Sequence, residues 1–303
     1  MIKIIDQSNN ATLIYIKLAI VSMIWGGTFV AGRYISTDLP PLFSASLRFI
    51  IASIILTIFL IFFHDGFKKI SFAQFFKILI LGFFGIYSYN IFFFYGLHFT
   101  NAATASLIVA TNPAVMAIFC YLFYKEKVST SKFFGIVLCI CGASTVILFR
   151  QSSSQAFFNL DDWIGNSLIF GCVLSWVIYS VFCRSIVKEI GAIHTVTYSI
   201  YVGTILLFIS ALINHQLSFK IISLLTIENY IGLFYLGAIG SALAYIWYYD
   251  GIQKIGATRS GVFIALNPFT AILCGVVLLD EHLSIPTLFG GTFIMIGIYL
   301  SNK

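Results

Sequence analysis

Along the chain, charged residues gather in short clusters, and between them run apolar stretches of about 20 to 25 residues, the length of helix that crosses a hydrocarbon core. The pattern predicts helices over Leu13 to Ile35, Leu42 to Phe63, Phe75 to Leu97, Ala102 to Tyr124 and Lys132 to Phe149. A second set runs over Trp163 to Arg184, Ile193 to Ile213, Tyr230 to Tyr249, Ala257 to Leu279 and Ser284 to Leu300. These runs are apolar on every side. A membrane β-barrel would instead alternate polarity over segments of ~10 residues, so the pattern predicts an all-α membrane protein of ten transmembrane helices.

Composition sharpens this reading. With 60% hydrophobic and 9% charged residues, the chain has too little polar surface to enclose a soluble globule, so the lipid bilayer is its expected solvent. The net charge of +6 follows an orientation rule and forms no patch. If the N-terminus is cytoplasmic, all of the 17 Lys and Arg except Arg33, Arg48, Arg150 and Lys220 fall at cytoplasmic ends and loops. That is the bias read during membrane insertion, and it predicts both termini in the cytoplasm, with no surface left for nucleic acid. The six cysteines lie within predicted spans and read as small packing residues, with neither disulfide nor metal spacing. The first span runs past 20 residues without a small-x-small cleavage site, so it is expected to be retained.

The chain also repeats itself. Sliding it by 155 positions aligns Gly96 to Gly142 with Gly251 to Gly297 and pairs Asn112 with Asn267, Pro113 with Pro268, Glu126 with Glu281, Gly135 with Gly290 and Gly142 with Gly297. A second register, offset by 151, pairs Trp25 with Trp176 and Arg33 with Arg184. Helices one to five (residues 13–149) thus match helices six to ten (163–301). Because five is odd, the second half enters the membrane from the opposite side, and the halves are predicted to be inverted repeats. Such a plan places a solute near the midplane, between the halves, and lets one sequence plan supply inward-open and outward-open states.

These residues resemble the drug/metabolite transporter superfamily, in its ten-helix EamA-type branch. The resemblance rests on Trp25-Gly26-Gly27-Thr28-Phe29, Leu47-Arg48-Phe49, and the Asn-Pro to Glu segments Asn112 to Glu126 and Asn267 to Glu281. It covers nearly the whole chain. It implies an inner-membrane exporter or exchanger of amino acids, related metabolites or toxic compounds, with a central cavity and with helices five and ten at the periphery. No cofactor is implied. The superfamily's four-helix branch relies on a glutamate inside its first helix. This sequence has none there, which leaves proton coupling among the routes that drive transport, but not through that switch.

The span centres carry almost no charge. Arg33, Arg48, Arg184, Asp250 and Arg259 read as end residues that snorkel to the interface. A solute is therefore expected to meet uncharged groups near midspan: Trp25, Thr28, Ser88, Tyr89, Asn90, Trp176, Tyr179, Tyr245, Trp247 and Tyr248. Small residues at Ala102, Ser106, Ala110 and Ala114, and at Ala257, Gly261 and Ala265, predict that helices four and nine are central to their halves. Pro113 and Pro268 should break these two helices halfway and free the carbonyls of Val109 and Ile264. Asn112 and Asn267 are then placed either to cap the break or to face the solute, with the prolines as hinges. Glu126 and Glu281, at helix ends, are expected to hold nearby backbone or basic groups. His98, His194 and His282 are dispersed and no paired carboxylates or phosphate loop accompany them, which argues against an enzyme.

The expectation is a secondary transporter that exports amino acids or related small solutes by alternating access; an uptake permease or a passive channel is the alternative. The topology is open to direct test. In whole cells, an impermeant thiol reagent should label a cysteine placed at Ser153 and leave one at Ser71 unmodified, and the opposite pattern would overturn the orientation.

Overall fold

The computed structural model describes residues 2–64, 66–125, 129–148, 160–217, 221, 223, 225–255 and 263–301. Among them every regular element is helical. In chain order they are α1 (Thr12–Asp38), α2 (Pro41–Phe63), α3 (Phe72–Phe99), α4 (Ala102–Phe123), α5 (Thr130–Val146), α6 (Leu160–Cys183), α7 (Ala192–Ile213), α8 (Ile227–Ile252), α9 (Asn267–Leu279) and α10 (Ile285–Leu300). Seven of these are long and apolar enough to cross a membrane, and α5, α9 and α10 are shorter apolar helices. The first part of the expected span Ala257 to Leu279, together with Glu126 and the side chains of Pro113 and Arg184, lies outside the described residues.

Local signals start the helices. Pro41 opens α2, where its missing N–H costs nothing. Helices α3 and α8 begin with the same device: Ser71 with Gln74, and Thr226 with Asn229, close capping boxes in which each side chain satisfies the other residue's backbone N–H. Both helices then pass into π-helical stretches, Phe83–Ser88 and Tyr235–Leu243.

The interior is aromatic and small-residue packing inside an apolar shell. Phe43, Phe49, Phe93 and Phe94 are fully buried, and every residue of the α4 segment Ala102–Val109 is buried, as expected for a central helix. In α9, Pro268 and Ala271 face inward while Phe269, Leu273, Val277 and Leu278 are exposed; Ala257 and Gly261, on which the expectation of a central helix nine rested, lie outside the described residues. Charges collect at the ends. Lys77 and Gln74 donate to Glu189, holding its carboxyl below the usual carboxylate range, and Asp250 pairs with Lys17 and Lys254.

Two long-range contacts tie the chain. Glu281 accepts hydrogen bonds from the backbone N–H groups of Ala102 (2.7 Å) and Ala103 (3.2 Å), so a carboxylate that follows α9 satisfies the open N-terminus of α4. Helices α5 and α10 cross with backbone against backbone. A Cβ on Gly142 would stand 2.5 Å from the Gly290 carbonyl oxygen, one on Gly290 would stand 2.6 Å from that of Gly142, and one on Gly297 would stand 2.7 Å from that of Gly135.

Because a side chain at this crossing meets carbonyls that cannot move aside, Gly290→Val is expected to destabilise the fold by about 1–3 kcal/mol or more. Fluorescence-detected size exclusion should show a clear loss of monodisperse protein, whereas Ile296→Val, at an exposed position of the same helix, should leave the yield near wild type.

Candidate solute-binding cavity

At the meeting of α1, α2, α3, α4, α6, α8 and α9 lies a cavity of about 70 Å³. Its walls are aromatic: Trp25 and Phe29 from α1, Tyr89 and Phe93 from α3, Trp176 from α6 and Tyr245 from α8. Two ring pairs face one another across it with matching geometry. Trp25 and Tyr245 meet at 5.9 Å and 65°, and Tyr89 and Trp176 at 6.0 Å and 60°. A larger depression of about 540 Å³ lies between the ends of α4 and α5. It is bordered by exposed Tyr121 and Phe133, and among the described residues Thr130 is the polar side chain that lines it.

The α1 motif has a physical account residue by residue. Trp25 donates from Nε1 to the Gly240 carbonyl (3.1 Å), in the π-helical stretch of α8, where the altered hydrogen-bond pattern leaves carbonyls to be satisfied from outside. Gly26 has no room for a side chain, because a Cβ there would lie 2.5 Å from the Asn267 carbonyl oxygen. Gly27 makes space for Tyr235, whose hydroxyl donates to the Ile24 carbonyl (2.8 Å). Thr28 lines the wall and turns its hydroxyl back to the Trp25 carbonyl (2.6 Å), while its methyl packs against Gly240, where a Cβ would stand 2.6 Å from it.

Arg48 is the charged group of the wall. The sequence reading placed it near a helix end, snorkelling outward, and the structure corrects that: eight residues into α2, it points inward and is only 6% exposed. Its Nε donates to Ser241 Oγ (3.0 Å) and its Nη1 to Asn90 Oδ1 (3.3 Å). Both acceptors are themselves anchored in the π-helical stretches, Ser241 through the Leu236 carbonyl and Asn90 through that of Ile86. The guanidinium also lies 5.2 Å and 5.6 Å from the rings of Phe49 and Phe93. Arg33, partly exposed near the end of α1, donates from Nη1 to the Leu97 and His98 carbonyls at the end of α3.

Both expected breaks are present and both reach this cavity. Helix α4 is interrupted at Ala110 and Thr111, and α9 is preceded by a 3-10 turn, Phe263–Leu266. Val109 and Asn112 line the wall from one side and Ile264 and Asn267 from the other. The two asparagines then diverge. With its amide nitrogen turned toward carbonyls, Asn267 donates to Ser22 (2.9 Å) and to Ile264 (3.2 Å), the carbonyl that Pro268 leaves without its helical donor. The Asn112 carbonyl oxygen is buried with no partner among the described residues.

Of the residues singled out from the sequence, Trp25, Thr28, Tyr89, Asn112, Trp176, Tyr245 and Asn267 share this wall. Three stand behind it. Asn90 holds Arg48, Tyr248 packs its ring on Trp25 at 4.9 Å, and Tyr179 fills the space left by Gly85, with its hydroxyl 3.5 Å from that of Tyr249. Trp247 sits at the end of α8, 5.9 Å from the Lys17 ammonium. Arg48 carried a signal in the sequence, an arginine within an apolar run, whereas Phe29, Phe93, Val109 and Ile264 look like any other apolar residue.

The EamA-like transporter family model matches residues 12–148 and again residues 163–303. The chain belongs to the EamA-like transporter family. Several relatives span the chain nearly end to end. The uncharacterized transporter YyaM of Bacillus subtilis (strain 168) is 28% identical over 95% of this chain and 93% of its own length, and an uncharacterized transporter of Archaeoglobus fulgidus is 28% identical over 94% and 97%. A further Bacillus subtilis protein, the uncharacterized transporter YetK, is 25% identical over 95% and 86%. One solved crystal structure shares the fold, with a TM-score of 0.66 at 16% identity over 93% of this chain and 94% of that one. Like the rest of its family, this EamA-like protein is a multi-pass membrane transporter of small solutes and not an enzyme.

The divergence of the asparagines separates their substitutions. Asn267→Ala removes two buried hydrogen bonds, so a loss of about 1–3 kcal/mol should appear as a lower melting temperature of the purified EamA-like transporter. Asn112→Ala removes none and should melt near wild type while transport falls. Equal thermal losses for the two would contradict the assignment.

Proposed function

We propose that this EamA-like protein is a secondary transporter that exports small organic solutes, such as amino acids, related metabolites or toxic compounds, across the inner membrane by alternating access. The observation that carries the proposal is the aromatic cavity, with both helix breaks on its wall. A broken helix can change direction where a continuous one cannot, and irregular backbone at membrane depth is tolerated where it lines a cavity. At about 70 Å³ the cavity is far smaller than the ~300–1,000 Å³ of sites that hold drug-sized ligands. This arrangement is a contracted one, and loading requires the walls to part.

The reading takes the ten helices as two inverted five-helix repeats, residues 13–149 and 163–301, with both termini cytoplasmic. It is supported by the double match of the family model and by the capping boxes at Ser71 and Thr226, which stand one repeat length of 155 apart. The glycine crossing supports it too. Gly142 meets Gly290 while Gly297 meets Gly135, which are the repeat partners of the same residues, as a two-fold relation requires.

Counterflow in proteoliposomes tests this function. Vesicles preloaded with a transported solute should accumulate trace label of that solute transiently, and the rate should saturate with concentration. Flux that stays linear in concentration and shows no counterflow would identify a passive channel instead.

A further inference from the structure

Arg48 is the feature that the transporter reading leaves unused. It is a permanent cation at pH 7, because a guanidinium does not give up its proton in proteins. It is buried, and it forms part of the cavity wall. Among the described residues no carboxylate pairs with it; Glu189 and Asp250, for example, pair with lysines at the helix ends. Its two hydrogen bonds go to a hydroxyl and an amide, both neutral, and they use Nε and Nη1. Nη2 has no hydrogen-bond partner among the described residues. A buried charge in this state is costly, by at least ~2.5–3.5 kcal/mol on membrane-insertion scales, and an ionisable group so placed marks a ligand or ion pathway.

The rest of the wall narrows what could neutralise it. Among the described residues no acidic side chain lines the cavity. A zwitterion would meet Arg48 with its carboxylate, but its ammonium would have only rings and amide oxygens to hold it, and the filled cavity would keep a net positive charge. An organic monoanion would leave the filled cavity electrically neutral. The Asn112 amide oxygen, buried without a partner among the described residues, stands on the same wall and can accept a hydrogen bond from a donor group of the solute.

We infer that the cavity takes organic monoanions, with a carboxylate bound to the Arg48 guanidinium and an apolar or aromatic body held among Trp25, Tyr89, Trp176 and Tyr245. Ser241 and Asn90 act as positioning residues, since they aim the guanidinium and do not line the cavity. This assignment rests on the transporter reading and narrows its solute class.

The test uses purified full-length protein and two sets of probes that share a body and differ in charge. One set is 3-phenylpropionate, L-phenylalanine, 2-phenylethylamine and 3-phenylpropanol; the other is 4-methylvalerate, L-leucine, isoamylamine and 4-methylpentanol. Binding is read as a rise in melting temperature and as a change in tryptophan fluorescence, to which Trp25 and Trp176 contribute from the wall. At least one of the two acids should bind about tenfold or more tightly than its zwitterionic, cationic and neutral counterparts, as expected for a charge-assisted contact. Arg48→Gln should remove that preference, and Arg48→Lys should keep part of it. Arg48→Gln protein that fails to fold leaves the wild-type ranking and the Arg48→Lys variant to decide.

The inference is overturned if neither acid binds, if an amino acid, amine or alcohol binds as tightly as the matching acid, or if folded Arg48→Gln binds the acids like wild type. The carrier reading fails separately. Acids that bind but show no saturable counterflow would sink transport and leave the anion site standing, whereas counterflow of an amino acid without binding of either acid would do the reverse.

Discussion

Hydrocarbon offers no hydrogen-bond partner, so any backbone group released inside the membrane has to be satisfied by the protein itself. Most of the long-range polar contacts in this chain answer that demand. The π-helical stretch of α8 releases carbonyls that Trp25 and Ser241 take up, and the break before α9 releases the Ile264 carbonyl, which Asn267 takes up. The first N–H groups of α4 find the Glu281 carboxylate, and the last carbonyls of α3 find Arg33. Ser241 and Asn267 act within their own segments, whereas Trp25, Glu281 and Arg33 reach from a different part of the chain. Irregular backbone, which would be a local defect in water, here becomes a cross-link between helices, and the cavity sits where several such cross-links converge.

This explains how much of the molecule was legible in the sequence. The apolar runs fix the helices because their length and charge spacing answer directly to the bilayer. Proline 113 and proline 268 announce breaks because a missing N–H is a property of the residue and not of its surroundings. Glu281 was expected to hold nearby backbone, and it does, across the protein on α4. Orientation about a helix axis was less legible. In runs that are apolar on every side, nothing distinguishes the face that meets lipid from the face that meets protein, so Arg48 read as an end residue and Tyr179 and Tyr248 read as wall residues when they stand one layer behind. The π-helical stretches gave no sequence signal either, although the side chains that they position make up much of the site.

The two halves share a plan but have divided its work. Asn267 is committed to structure, bridging α1 and the break before α9, while Asn112, at the corresponding place in α4, has its carbonyl oxygen buried and unpartnered on the cavity wall. Trp25 is followed by two glycines that admit α9 and Tyr235, whereas Trp176 is followed by Val177 and Ile178 and packs against Tyr89 and Tyr179 instead. A cavity with unlike sides can orient an unsymmetrical solute, which a strictly two-fold site cannot.

The crossing of α5 and α10 bears on how such a chain drifts over generations. At an ordinary contact, a bulkier side chain can be accommodated when its neighbour becomes smaller. Gly142 and Gly290 face each other's carbonyl oxygens, and no substitution makes a carbonyl smaller. A change at either position therefore has no remedy at the other. Such a crossing constrains both glycines at once, and glycine stands at all four of the positions Gly135, Gly142, Gly290 and Gly297 that meet there.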